Sequence, residues 1–258
     1  MQDPTGFRLA PDDPQPFAVQ MRDGVGQIVL SCEHGGRALP RCLDDRAPAP
    51  DDMDRHIAWD VGAGPTARLV SERLDTPLAL QPYSRLVVDS NRPRHAVDLA
   101  PSVSDGSVIP FNQSLDQSEL EMRWSAIHQP FHAKVDQLIK TRQPRAFVSI
   151  HSFTPQLRDG TPRPMAVGLL VRRDPAFALA FAAAMGELAP NELIAMNAPY
   201  EIEDDSDYTI PVHAEPRGLA HVLIEMRNDL IADQAGIKRW GSLISTALAQ
   251  AVAAVDDR

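Results

Sequence analysis

Short apolar runs separated by longer amphipathic stretches set the rhythm of this chain. Gln27–Cys32 (QIVLSC), Leu78–Leu80, Leu86–Val88, Ala146–Ile150, Met165–Val171 and Val222–Met226 each read as a strand buried on both faces. Between them, Asp54–Leu74 carries Ile57, Ala58, Val61, Leu69 and Val70 at near-helical spacing, and Pro65 is expected to bend or divide that helix. Gln117–Thr141 places Leu120, Trp124, Ile127, Phe131, Val135 and Leu138 three or four apart, a strong helix. Ala176–Leu188 and residues 235–255 read as two further helices, the second amphipathic and closing the fold. Strands alternating with helices predict a single α/β domain with a mainly parallel sheet covered on both faces. Residues 1–24, rich in proline, are expected as an extended arm ahead of a domain spanning 25–258. Residues 37–53 and 93–115 read as loops, and the second is long enough to cover a site.

Several of these runs end on polar groups. His34 follows QIVLSC in the turn EHGG, His151 follows Ala146–Ile150, and Leu86–Val88 is flanked by Arg85 and by Asn91-Arg92. Ligands of open α/β sheets bind at the carboxyl ends of strands, so these side chains are expected to converge. A lone histidine is usually just a hydrogen-bonded or surface group. Two of them after separate buried strands suit a hydrolytic zinc site, which uses about three protein ligands and keeps a position for water.

The third ligand is open between Asp54 and His56 in DMDRHIAWD. Two residues apart on a helix, they do not share a face. Asp54 is placed first, with a helix N-cap as its competing role. Glu33 ranks third, because it would point away from His34 along a continuing strand. Glu225 lies inside the apolar run VLIEM, where a carboxylate needs a partner or a task. Arg227 shares its face and is the partner expected if Glu225 is structural; otherwise Glu225 reads as a general base with a raised pKa. The planar forks of Arg85 and Arg92 suit a carboxylate. Tyr208 and His213, in DYTIPVHAEPRG, are placed on a loop beside the site as candidate substrate contacts, with a structural histidine as the competing role of His213.

The 258 residues fit one large domain. A net charge of −10 with scattered acids argues against a nucleic-acid or anionic-membrane surface, so an anion must be read by local arginines. Two cysteines, Cys32 and Cys42, make no CxxC pair and favour a reducing cytoplasm over a disulfide framework. No apolar run approaches the roughly 20 residues of a membrane helix, and the N-terminus carries no signal-peptide pattern.

Taken in order, LSCEHGG, DRHIAWDVGA, YSRLVVDSNRP, SIHSF and IEMRNDL resemble the N-formylglutamate amidohydrolase family over roughly residues 27–231. That family is similar, more distantly, to the zinc carboxypeptidases and aspartoacylase, and the resemblance implies their phosphorylase/hydrolase-like α/β fold. It implies a Zn2+ held by His34 and His151, a general base at Glu225, and Arg85 steadying the scissile carbonyl. Asn91 and Arg92 would hold a substrate carboxylate, with Arg227 a second candidate for that role. Two departures stand out. Arg37 occupies the position where the carboxypeptidase motif has a glutamate, three residues after the first histidine. The tract DRHIAWD also differs from the TDWHVDRLY form of formylglutamate deformylases. The chain therefore resembles a side branch. The implied activity is hydrolysis of a linear amide C–N bond in a small N-acyl amino acid, N-formylglutamate among the candidates. A carboxypeptidase-like hydrolase of a peptide or peptidoglycan fragment, or a non-catalytic carboxylate- or metal-binding protein, are the alternatives.

Overall fold

The computed structural model describes residues 6–22 and 27–256. A seven-stranded sheet runs through it in the order β1-β3-β2-β6-β9-β7-β8. Its strands are β1 (Ala18–Gln20), β2 (Ile28–Cys32), β3 (Leu78–Leu80), β6 (Ala146–Phe153), β7 (Val167–Leu170), β8 (Ile194–Met196) and β9 (Ala220–Arg227). The central four, β3, β2, β6 and β9, are parallel; β1 and β7 attach antiparallel at either side. A separate two-residue hairpin, β4 (Val103–Ser104) with β5 (Ser107–Val108), lies within the segment expected as a loop.

Strand alternation sorts the side chains between two cores. Ile28, Leu30, Cys32, Val148, Ile150, Val222 and Ile224 face one cluster, roofed by α2 (Ala63–Leu74), α5 (Ala176–Leu188) and α6 (Gln234–Asp256). Val29, Phe147 and Leu223 face the other, with Phe131, Val135, Leu138 and Ile139 of α4 (Gln129–Arg142). The short helices α1 (Pro50–Met53) and α3 (Gln117–Arg123) complete the set. No helix among the described residues is long and apolar enough to cross a membrane.

Four sequence expectations meet a different structure. The helix predicted over Asp54–Leu74 begins only at Ala63; residues 54–62 form turns, ending in Gly62 at φ 79°. A side chain at Gly62 would strike the Ile231 carbonyl, so this break is built into the packing. Pro65 then sits in the first helical turn, where its missing N–H costs nothing. The run Leu86–Val88 is a buried turn rather than a strand. Its carbonyls are met by side chains, Leu86 by Asn112 Nδ2 and Val87 by the fully buried Arg123, so no neighbouring strand is required. The N-terminal arm is in part an edge strand, β1, and Phe7 joins a third core cluster with Leu86, Val87, Val88, Phe111 and Trp124. Finally, the helix from 117 to 142 is interrupted by a π-turn at Trp124–His128. Pro130 cannot donate a backbone bond and crowds the carbonyl four residues earlier, which the wider turn relieves.

Candidate metal centre and acid–base site

The carboxyl ends of β2, β6 and β9 gather a polar patch on the α4 side of the sheet. Parity puts it there: Ser149, His151 and Glu225 occupy the same face as Phe147 and Leu223. His151 stands directly opposite Glu225 in the parallel ladder. His34 lies just past β2 and approaches His151 edge-on, with ring centroids 4.8 Å apart.

His34, Asp60 and His151 are all buried, and one donor atom from each lies within 4.8 Å of the others. In both rings Nδ1 is the nitrogen that faces Asp60 Oδ2, at 2.9 Å from His151 and 3.5 Å from His34. The far nitrogens are held by outer carboxylates: His34 Nε2 by Asp89 at 2.6 Å, His151 Nε2 by Glu33 at 2.8 Å. Ligand histidines of metal sites are oriented in this way by carboxylates bound to their second nitrogen. His34 Nδ1 is buried with no hydrogen-bond partner, so one donor is left aimed at the space between the three residues. The donor set, two imidazoles and a carboxylate, suits zinc.

The charge balance points the same way. Glu33, Asp60, Asp89 and Glu225 are all buried, and Arg85 is in direct contact with two of them, bonding Asp89 at 2.9 Å through Nε and approaching Asp60 at 3.5 Å. Burial alone would raise each acid. For Glu33, bonds from His151 and Ser149 outweigh it and bring its pKa down to about 2. For Asp60, the neighbouring His34 and His151 hold the carboxyl well below the usual range, and for Asp89 Arg85 does so first. Burial likewise disfavours a charge on His151, but Asp60 and Glu33 on its two nitrogens raise it well above the ordinary value. A cavity with this much fixed negative charge favours a cation.

Glu225 differs from the other three acids. Burial pushes its pKa up to about 8, against the pull of His151, with Asp60 adding to the rise. Its Oε2 is buried without a partner. Arg227, two residues along, bonds Asp229 and the Pro164 carbonyl instead, so the pairing that would make Glu225 structural is not formed. Gly168 pairs with Glu225 across the sheet, and a side chain there would collide with the Ala198 carbonyl that lies over it.

Other expected residues lie elsewhere. Asp54 is a surface group, about two-thirds exposed and paired with Arg37, and does not join His34 and His151. Because the helix starts nine residues later than predicted, the tract carries Asp60 inward instead. His56 sits beside Asp105 at 3.6 Å, lining a cavity of about 360 Å3 with Arg85, Asp89 and Asp98. The Asn91 side chain is spent on the 207–209 turn, donating to Asp207 and accepting from the Thr209 amide at 3.0 Å. Arg92 bonds Asp98 through Nε and the Ser206 carbonyl through Nη1. Tyr208 packs among histidine rings, and His213, in the helical turn Ile210–Ala214 rather than a loop, is buried against His132, in line with the structural role that competed for it. Asp60 and Asp89 were missed as well. The available signals were an aspartate just before a chain-breaking glycine and the acid inside VVDSNR.

A model of the N-formylglutamate amidohydrolase family matches residues 26–232. The chain belongs to that family. It is therefore an amide-hydrolysing enzyme by membership. The product of gene Atu2144 of Agrobacterium tumefaciens is 34% identical, with a TM-score of 0.90, over 96% of this chain and 99% of that one. The N-formylglutamate amidohydrolase of Ralstonia eutropha shares the fold at 17% identity and a TM-score of 0.68, over 95% of this chain and all of the other. Among curated proteins, none matches the chain in sequence.

Proposed function

We propose that this amidohydrolase is zinc-dependent and cleaves the amide bond of a small N-acyl amino acid. The observation that carries the reading is the convergence of His34 Nδ1, His151 Nδ1 and Asp60, with each ring backed by a buried carboxylate. Those three residues would hold the metal, which supplies a Lewis acid for the carbonyl and acidifies a water molecule. Glu225 takes the proton of the attacking water and returns it to the departing amine. Its raised pKa, near working pH, matches that exchange. Arg85, fixed by Asp89, presents its remaining N–H groups to the developing oxyanion. Arg92 keeps Nη2 for the substrate carboxylate, while Asn91 acts behind it by securing the 207–209 turn. A cavity of about 360 Å3, large enough for a molecule of amino-acid size, opens beside Arg85 and Asp89. Free thiols at Cys32 and Cys42 accord with a cytoplasmic enzyme.

The test is metal analysis of the purified protein followed by hydrolysis of a panel of N-acyl amino acids, before and after chelation. About one zinc per chain and chelator-sensitive turnover are expected. Turnover unchanged after complete metal removal would overturn the proposal.

A further inference from the structure

Four buried histidines remain outside this chemistry, and three of them, His128, His132 and His213, pack together. We propose that His128, His132 and His213 are positioning residues that fix the Asp89–Arg92 turn and, through Asp89, the ring of His34 and the guanidinium of Arg85. The transmission to His34 rests on the metal reading given above; the anchoring of the turn does not.

The turn has several duties. Asp89 Oδ1 accepts from His34 Nε2 at 2.6 Å and from the Asn91 amide at 2.8 Å, while Oδ2 accepts from Arg85 Nε at 2.9 Å. Asn91 reaches the other way, to residues 207–209. A small rotation of this turn therefore moves a ligand histidine, an arginine and a neighbouring loop together.

Two carbonyls of the turn face the long helix. The Ser90 carbonyl meets His132 Nε2 at 2.7 Å, and the Arg92 carbonyl meets His128 Nε2 at 3.1 Å. A carbonyl only accepts, so both Nε2 atoms carry the hydrogen. That leaves His132 Nδ1 as an acceptor, and it faces His213 Nε2 at 2.9 Å, which must donate. The bonds thus run in one direction, His213 to His132 to Ser90. All three rings are buried, and each is neutral in this arrangement. Burial, with like-charge neighbours, lowers their pKa values to about 2, 3 and 4 for His128, His132 and His213.

Helical spacing explains the pair, since residues four apart share a face. The rings are also packed into one block. Trp124 stacks on His128 at 3.5 Å between centroids, His128 lies 4.4 Å from His132, and Tyr208 caps both at 4.7 and 4.5 Å. The packing holds both rings against the two carbonyls.

The experiment compares His132→Leu, which keeps bulk and removes the donor, with His132→Gln, whose amide nitrogen can reach the Ser90 carbonyl. Amide hydrogen exchange over residues 86–93 and the zinc dissociation constant, measured against a chelating dye, are read for each full-length protein. The leucine variant should exchange faster at Asn91 and bind zinc roughly tenfold more weakly or worse, the scale of outer-partner losses at metal sites. The glutamine variant should return both readings towards wild type. Unchanged exchange and zinc affinity in His132→Leu would overturn the proposal, as would a glutamine variant no better than leucine. If wild type takes up no zinc, the metal reading fails and the exchange comparison alone decides the anchoring. Should His132→Leu not fold, His128→Leu, which frees only the Arg92 carbonyl, gives the same comparison.

Discussion

Replacing Asp60 and Asp54 separately tests which aspartate of the tract serves the metal. Asp60 is buried and makes four polar contacts: His151 Nδ1 at 2.9 Å, the Ser152 amide at 3.1 Å, and His34 and Arg85 at 3.5 Å each. Asp60→Asn keeps the volume but removes the charge that faces both histidines. Stripping one partner from a buried charged pair costs about 3–5 kcal/mol, and asparagine's retained hydrogen bonds place this variant near the low end. As a loss in metal binding, about 3 kcal/mol is a rise of more than 100-fold in the zinc dissociation constant. Asp54 is mostly exposed and its pair with Arg37 is a surface one. Asp54→Ala should therefore change stability by no more than about 0.5 kcal/mol and leave zinc affinity untouched. Titration calorimetry with zinc gives both constants, and urea unfolding of the metal-free proteins checks that each variant is folded. An Asp60→Asn protein that binds zinc as tightly as wild type would refute the assignment. So would an Asp54→Ala protein that loses zinc to the same degree.

Other consequences follow from the same geometry. Glu225→Gln should lower kcat by roughly 10²-fold or more with zinc still bound, measured on the best substrate of the panel; full activity would remove Glu225 as the base. Arg92→Ala should raise KM and abolish the preference for a free carboxylate over its methyl ester, whereas Arg85→Ala should act mainly on kcat; persistence of the acid preference would move the carboxylate to Arg85. Three histidines with folded pKa values far below the ordinary 6.5 stay neutral in the fold and become protonated only on unfolding. Their contribution is therefore intact above about pH 6.5 and is lost as pH falls, at up to roughly 4 kcal/mol per pH unit between about pH 6 and 4.5; urea midpoints across that window measure it, and a flat profile would contradict their burial as neutral rings.

How much of this could be read from the sequence differs between the strands. β2, β3, β6, β7 and β9 announce themselves because they are buried on both faces, so apolar or small residues fill them apart from His151 in β6 and His221, Glu225 and Arg227 in β9. β1 and β8 are three-residue edge strands of only intermediate burial, too short and too little buried to stand out as runs of their own. Leu86–Val88 has the composition of a strand, yet its burial comes from packing against Phe111, Trp124 and Ile127, and its carbonyls are met by Asn112 and Arg123. Apolarity reports burial, and a hydrogen-bond partner far along the chain can take the place of a neighbouring strand.

The candidate site divides along the same line. His34, His151 and Glu225 were legible because each interrupts or ends a buried run, where a polar side chain must be accounted for locally. Asp60 was not, because its inward direction depends on Gly62 closing the turn against Ile231, a contact 169 positions away in sequence. Asp89 and the histidine block were hidden for a related reason. Each is defined by what it bonds across 55, 42 or 81 residues, to His34, Ser90 and His213 in turn. The ligands of such a site leave a local trace because they are costly to bury. The groups that aim them can look like ordinary helix or loop residues, since their cost is already offset by partners that only the fold brings near.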